Sequence, residues 1–158
     1  MSALYRARRS EKGFTLVELL IVVIILGILA AVVIPQFNSA ANESKESALA
    51  SNLATMRQAV EMYKVQHDDA FPNATDVVAQ LIAGTDKDGT PGTVYGPYLR
   101  NGIPKNPISG NETIADGTGA MGTAPTDATG GWKFDAVTGE FRANVSGAGP
   151  SGTDFYEL

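Results

Sequence analysis

The sequence predicts an α+β fold in which one long N-terminal helix packs on a small antiparallel sheet. Three observations carry this reading. From Leu19 to Ile34 no side chain is polar, and Phe14, Leu16 and Val17 extend the apolar run toward the N-terminus. Leu49, Leu53, Met56, Val60 and Tyr63 then recur at alternating spacings of four and three, one continuous stripe of a helix. Near the C-terminus, Gly131-Trp132-Lys133-Phe134-Asp135 and Gly139-Glu140-Phe141-Arg142-Ala143-Asn144-Val145 alternate apolar and polar residues around Ala136-Val137-Thr138, which reads as a hairpin. The expected organisation is residues 1–13 as a leader, 14–34 as a membrane-spanning helix, 35–67 as its amphipathic continuation, and 68–158 as a small, loop-rich globular head.

A helix rises about 1.5 Å per residue, so Phe14 to Ile34 spans roughly 30 Å, about one hydrocarbon core. A helix apolar on every side belongs in lipid or at the centre of an assembly. Glu18 is the exception within it. A carboxylate there costs a few kcal/mol, and such residues are usually functional. Gly27 lowers helix propensity and Pro35 cannot donate to the carbonyl of Ala31, so a bend or local loosening is expected between them. Pro35 could also end the helix, but the stripe resumes beyond it. Gln36 to about Gln66 is therefore read as the continuation, with its stripe facing the sheet.

A chain of 158 residues allows one modest domain with appendages. Its formal charge is -5. Arg6, Arg8, Arg9 and Lys12 precede the apolar run with only Glu11 against them, which keeps the N-terminus cytoplasmic by the positive-inside rule. Loss of residues 1–13 removes three net positive charges and takes the charge from -5 to -8. An acidic chain of this kind argues against nucleic acid as a partner. There is no cysteine, which excludes disulfides, thiolate metal sites and cysteine nucleophiles.

An ordinary secretory signal is the competing reading of the N-terminus, with Ser39 and Ala41 at plausible cleavage spacing. The apolar run is too long for it, Glu18 interrupts the run, and the Gly13-Phe14-Thr15-Leu16 junction would have no role. His67-Asp68-Asp69 is read as a solvated helix end, although the single histidine beside two acids also suits a metal or proton-transfer site. Asn73 or Thr75 can cap a short helix over Asp76–Ala83, stopped by Gly84. Capping also explains Asn73-Ala74-Thr75, which matches the N-glycosylation pattern. Asp86-Lys87-Asp88-Gly89 resembles the start of an EF-hand loop without its closing Glu. Residues 109–130, rich in Gly, Thr, Ala and Asp, read as a long surface loop. Trp132, Phe134, Phe141 and Val145 are expected to face the helix stripe, and Phe155, Tyr156 and Leu158 to dock or stay mobile.

Lys12-Gly13-Phe14-Thr15-Leu16-Val17-Glu18 resembles the processing site of the type IV pilins and type II secretion pseudopilins. The resemblance implies cleavage after Gly13 by a prepilin peptidase and N-methylation of Phe14. It also implies an assembly role for Glu18 and a helix bend at Pro35. Tyr98-Leu99 and Ile103-Pro104-Lys105-Asn106-Pro107 are similar to a segment of the major pseudopilins, with Asn106 in place of an Asp and Ile108 in place of a Trp. By resemblance the protein is a structural subunit and not an enzyme. It would be held first in the inner membrane and then built into a homo-oligomeric filament, a periplasmic pseudopilus or an extracellular pilus. Partners would be the peptidase, an assembly ATPase with its platform protein, and minor pilins. The resemblance also implies a possible calcium ion on loop oxygens, with Asp86, Asp88, Asp116, Asp127 and Asp154 as candidate ligands. Many pilins close a C-terminal loop with a disulfide, so these loops need another restraint. The alternative is a membrane-anchored or secreted small domain, either an enzyme or a calcium-binding module. For an enzyme, Asp68, Asp69, Asp86 and Asp88 offer acids, but no set of nucleophile, base and orienting group is visible. Glu18 has three readings: neutralising its own N-terminus, being protonated in the membrane, or pairing with Phe14 of the next subunit.

Overall fold

The computed structural model describes residues 13–158. The basic leader with Arg6, Arg8, Arg9 and Lys12 lies outside the described residues. The described residues divide into two units, residues 13–38 and Ser39–Leu158.

Helix α1, Leu16–Gln66, starts in the first unit and ends in the second. In the first unit its side chains are exposed all round, from Leu16 at 80% through Val33 at 41% to Phe37 at 71%. Gly27 and Pro35 both stand inside the helix, which continues past them. Pro35 therefore does not end the helix. Among the described residues α1 is the one helix long and apolar enough to cross a membrane.

In the second unit, Leu49, Leu53, Met56, Ala59, Val60 and Tyr63 of α1 are buried. They form one core with Trp132, Phe134, Phe141, Ala143 and Val145. Strands β2, Trp132–Phe134, and β3, Phe141–Ala143, pair antiparallel with Trp132 opposite Ala143 and Phe134 opposite Phe141. In the turn between them Gly139 has a φ of 75°, and a Cβ there would lie 2.1 Å from the Phe71 ring. Glycine is thus required twice over, by backbone conformation and by the aromatic ring seated on it.

The sheet is mixed rather than wholly antiparallel. A third strand, β1, Ile114–Asp116, lies parallel to β2 with Ile114 opposite Trp132. It arises within the stretch expected to be loop. Three residues carry too little alternation to announce a strand, and the pairing with β2 is what makes them one.

Helix α2 is shorter than expected, Val77–Ile82, and buries Val77, Gln80 and Leu81. The Asn73 side chain accepts from the Asp76 N–H at 2.6 Å, so Asn73 organises its start. Gly84 does not act as a left-handed stop, because Ala83 already leaves the helix in an extended conformation. A glycine stands there because a Cβ would lie 2.5 Å from the Gly92 carbonyl oxygen.

The C-terminal tail docks. Phe155–Glu157 is a short 3-10 helix that buries Tyr156, and Phe155 and Leu158 pack on the core. Arg57 ties tail and sheet to α1. Its Nε and Nη2 donate to the Phe141 carbonyl at 3.0 and 2.9 Å, and its Nη1 to the Leu158 carbonyl at 3.0 Å.

Candidate functional site

The first turn of α1 holds the acid that the apolar run does not explain. Thr15 precedes the first helical residue, and Glu18 stands three residues on. The Glu18 Oε2 accepts from the Thr15 N–H at 2.7 Å and from the Thr15 hydroxyl at 2.8 Å. The Glu18 N–H donates to the Thr15 Oγ1 at 3.2 Å. This is a reciprocal capping box, which satisfies backbone donors that lipid cannot. The pattern Thr15-x-x-Glu18 ahead of an apolar run is the sequence signature of such a box. Oε2 is occupied within the chain, whereas Oε1 has no hydrogen-bond partner among the described residues. Gly13 and Phe14 lie just before the helix, with Phe14 81% exposed. Among the described residues a Cβ on Gly13 would meet nothing within 4 Å, and the same holds for Gly27, so neither glycine is demanded by packing against them.

Among the described residues no three His, Asp or Glu side chains come together as a metal centre. The five calcium candidates are engaged singly. Asp88 accepts from the Thr90 N–H and hydroxyl, Asp127 likewise from Thr129, Asp116 from the Thr118 N–H, and Asp154 from the Tyr156 N–H. Asp86 accepts from the Thr93 N–H at 3.2 Å. Most of these are Asx turns, in which a side chain holds the backbone two residues on. The same device recurs at Asn106, Asn111 and Asp135. It supplies the restraint that a chain without cysteine must find elsewhere.

His67 is buried rather than solvated, at 3% exposure. Its ring stacks on Tyr63 at 3.7 Å, with Nδ1 2.7 Å from the Tyr63 carbonyl and Nε2 3.0 Å from the Thr85 hydroxyl. A carbonyl only accepts, so Nδ1 carries the proton and donates. The stripe explains this placement, since His67 lies four residues beyond Tyr63 on the same face. Of the acids beside it, Asp68 pairs with Lys87 at 2.8 Å on the surface.

The Asx turns carry a pH dependence. The Thr90 hydroxyl and N–H hold Asp88 below the ordinary value near 3.8, and the N–H groups of Thr118, Thr129 and Val137 do the same for Asp116, Asp127 and Asp135. A carboxyl whose folded value is depressed stabilises fully above its unfolded value and loses that contribution as pH falls through the folded one. The melting temperature of the full chain in detergent is therefore expected to hold from neutral pH to about 5 and to fall below about 4. Asp135→Asn keeps the acceptor without the titration and should flatten part of that acid limb, as scanning calorimetry would show.

A family model described as a prokaryotic N-terminal methylation motif matches residues 8–34. The chain is 30% identical over 107 residues to the type II secretion system core protein G of Klebsiella michiganensis, covering 66% of this chain and 72% of that protein. It is 37% identical over 75 residues to the protein of that name from Pseudomonas aeruginosa, covering 48% of this chain and about half of the relative, 52%. The type IV major fimbrial protein FimA of Dichelobacter nodosus is 51% identical over 51 residues, 32% of this chain and 33% of that protein. No solved structure matches the chain.

Proposed function

Because this chain belongs to the family of type IV pilins and type II secretion pseudopilins, we propose that it is a structural filament subunit, stored in the inner membrane by α1 and assembled through the same helix. The observation that carries this reading is the apolar segment of α1, exposed on every side and bearing one acid in its first turn. Such a surface serves first in lipid and then in a bundle of identical helices, so one segment accounts for both states. Glu18 has one carboxylate oxygen held by Thr15 and the other without a hydrogen-bond partner among the described residues. We assign the ammonium of a processed Phe14, from the neighbouring subunit, as its donor.

The pseudopilus is favoured over the pilus. The match to the core protein G of Klebsiella michiganensis runs over 107 residues, well beyond the 51 residues of α1, whereas the fimbrial match is no longer than α1 itself. Prepilin peptidase, an assembly ATPase with its platform protein, and minor subunits are the partners this role requires. The bend between Gly27 and Pro35 belongs to the same proposal. A proline within the helix leaves the Ala31 carbonyl without its usual donor, and the glycine permits close approach of a neighbour.

Processing tests the proposal. Mass spectrometry of the purified protein should find a chain that begins at N-methylated Phe14. Gly13→Leu should leave residues 1–13 attached, since a branched side chain would stand where Gly13 presents none. A native chain beginning at Met1 or Asn42 would overturn the reading.

A further inference from the structure

We propose that the loop joining β1 to β2 is ordered by a cation belonging to the chain itself, the ammonium of Lys133, and that the loop needs no metal ion. Lys133 is the middle residue of β2. Trp132 and Phe134 on either side of it face the core, so strand alternation turns Lys133 to the opposite face. There its Nζ donates to the Ala120 carbonyl at 2.7 Å, the Thr123 carbonyl at 3.0 Å and the Tyr156 hydroxyl at 3.2 Å. An ammonium has three donors, and all three are used. No carboxylate lies within 4.0 Å of Nζ among the described residues. Neutral oxygens gathered on a cation are how proteins hold hard metal ions, and here the cation is tethered.

The surroundings support a dedicated role. Between Thr118 and Thr129 only Met121 is buried, so apolar packing alone does not hold this stretch over the sheet. The Tyr156 hydroxyl donates to the Met121 carbonyl at 2.7 Å, linking the same cluster to the loop a second time. Lys133 stands directly opposite Arg142 on β3, a like-charge pair that costs stability unless each charge is satisfied. Arg142 is satisfied by Glu140 at 2.6 Å and Glu157 at 3.5 Å. Lys133 has the loop carbonyls instead. The ring of Tyr156 serves both, with Lys133 Nζ 5.4 Å and Arg142 Cζ 5.0 Å from its centroid. The flanking acids Asp116 and Asp127 are occupied by their own turns.

Hydrogen exchange of the full chain in detergent micelles, read on peptides covering residues 118–123, tests this. Wild-type exchange should be the same with excess calcium chloride and with EDTA. Lys133→Met keeps the stem and removes the charge, and should speed exchange in this loop about tenfold or more, since hydrogen bonds from a charged donor are stronger than neutral ones and three are lost together. Residues 49–63 of α1 should keep their protection. Tyr156→Phe keeps the ammonium and loses one oxygen, and should raise loop exchange by a smaller factor even if Lys133→Met does not fold. Slower wild-type exchange at 118–123 with calcium than with EDTA, or unchanged exchange in a folded Lys133→Met, would overturn the proposal.

Discussion

Glu18→Gln is expected to abolish filaments while leaving membrane insertion intact and cleavage after Gly13 largely so. The substitution separates the cap that Glu18 makes with Thr15 from the pairing proposed for it with a neighbouring subunit. Gln at this position can still accept from the Thr15 N–H and hydroxyl, so the capping box survives. What is lost is the charge. A carboxylate attracts an ammonium through its full charge, and a neutral amide in its place does not. An apolar helix can slide along its neighbours, and a charge pair marks the register at which it stops. Glu18→Ala should fail in the same way, with an added helix-start cost of about 1 kcal/mol. Thr15→Ala removes the box and keeps the acid, so it should still assemble. The measurement is filament yield by electron microscopy in cells lacking a wild-type copy. Normal yield from Glu18→Gln would refute the intersubunit role, and failure of Thr15→Ala alone would move the requirement to the cap.

Trp132→Ala should all but unfold the head. The side chain is fully buried, its ring centroid lies 6.1 Å from that of Phe141, and its Nε1 donates to the Pro104 carbonyl at 2.8 Å. Truncating a buried tryptophan costs about 3–5 kcal/mol through lost burial and the cavity left behind. The Pro104 carbonyl, left without its donor, adds to that. For a domain of this size such a loss lowers the melting temperature by roughly 15 °C. Trp132→Phe retains most of the apolar volume and loses the indole donor, so its deficit should be smaller. Calorimetry on the full chain separates the two. Equal melting temperatures for Trp132→Ala and wild type would mean that β2 does not anchor the core.

The same segment shows where reading the sequence stopped short. Trp132 was legible as core from its alternation with Lys133 and Phe134. Its partner Pro104 was not, because the hydrogen bond joins positions 28 apart that no local pattern relates. Asn106, fully buried, is a similar case. Its side chain donates to the Gly131 carbonyl and accepts from the Ile108 N–H, and neither partner is indicated by the residues around it in the sequence. The aspartates are a third case. The family resemblance implied a calcium ion on loop oxygens, and the structure shows Asp88, Asp116 and Asp127 each closing its own turn. The turn role had a signal, a threonine two residues after Asp88, Asp116 and Asp127.

By itself the sequence determined the long helix, the hairpin, the apolar span with its single acid, and the motif around Gly13 and Phe14 that suggests the family. These follow from periodicity and composition, which act over a few residues and survive in any context. Only the tertiary structure decided that β1 joins the sheet in parallel, that His67 is inside, and that the loops are held by Asx turns and by Lys133. Those outcomes depend on which distant groups meet. Burial of His67 is tolerable because Tyr63 and Thr85 satisfy its ring nitrogens, and Lys133 is satisfied because Ala120, Thr123 and Tyr156 converge on it. A polar group away from water must find a partner in three dimensions, and that partner is not written beside it in the chain.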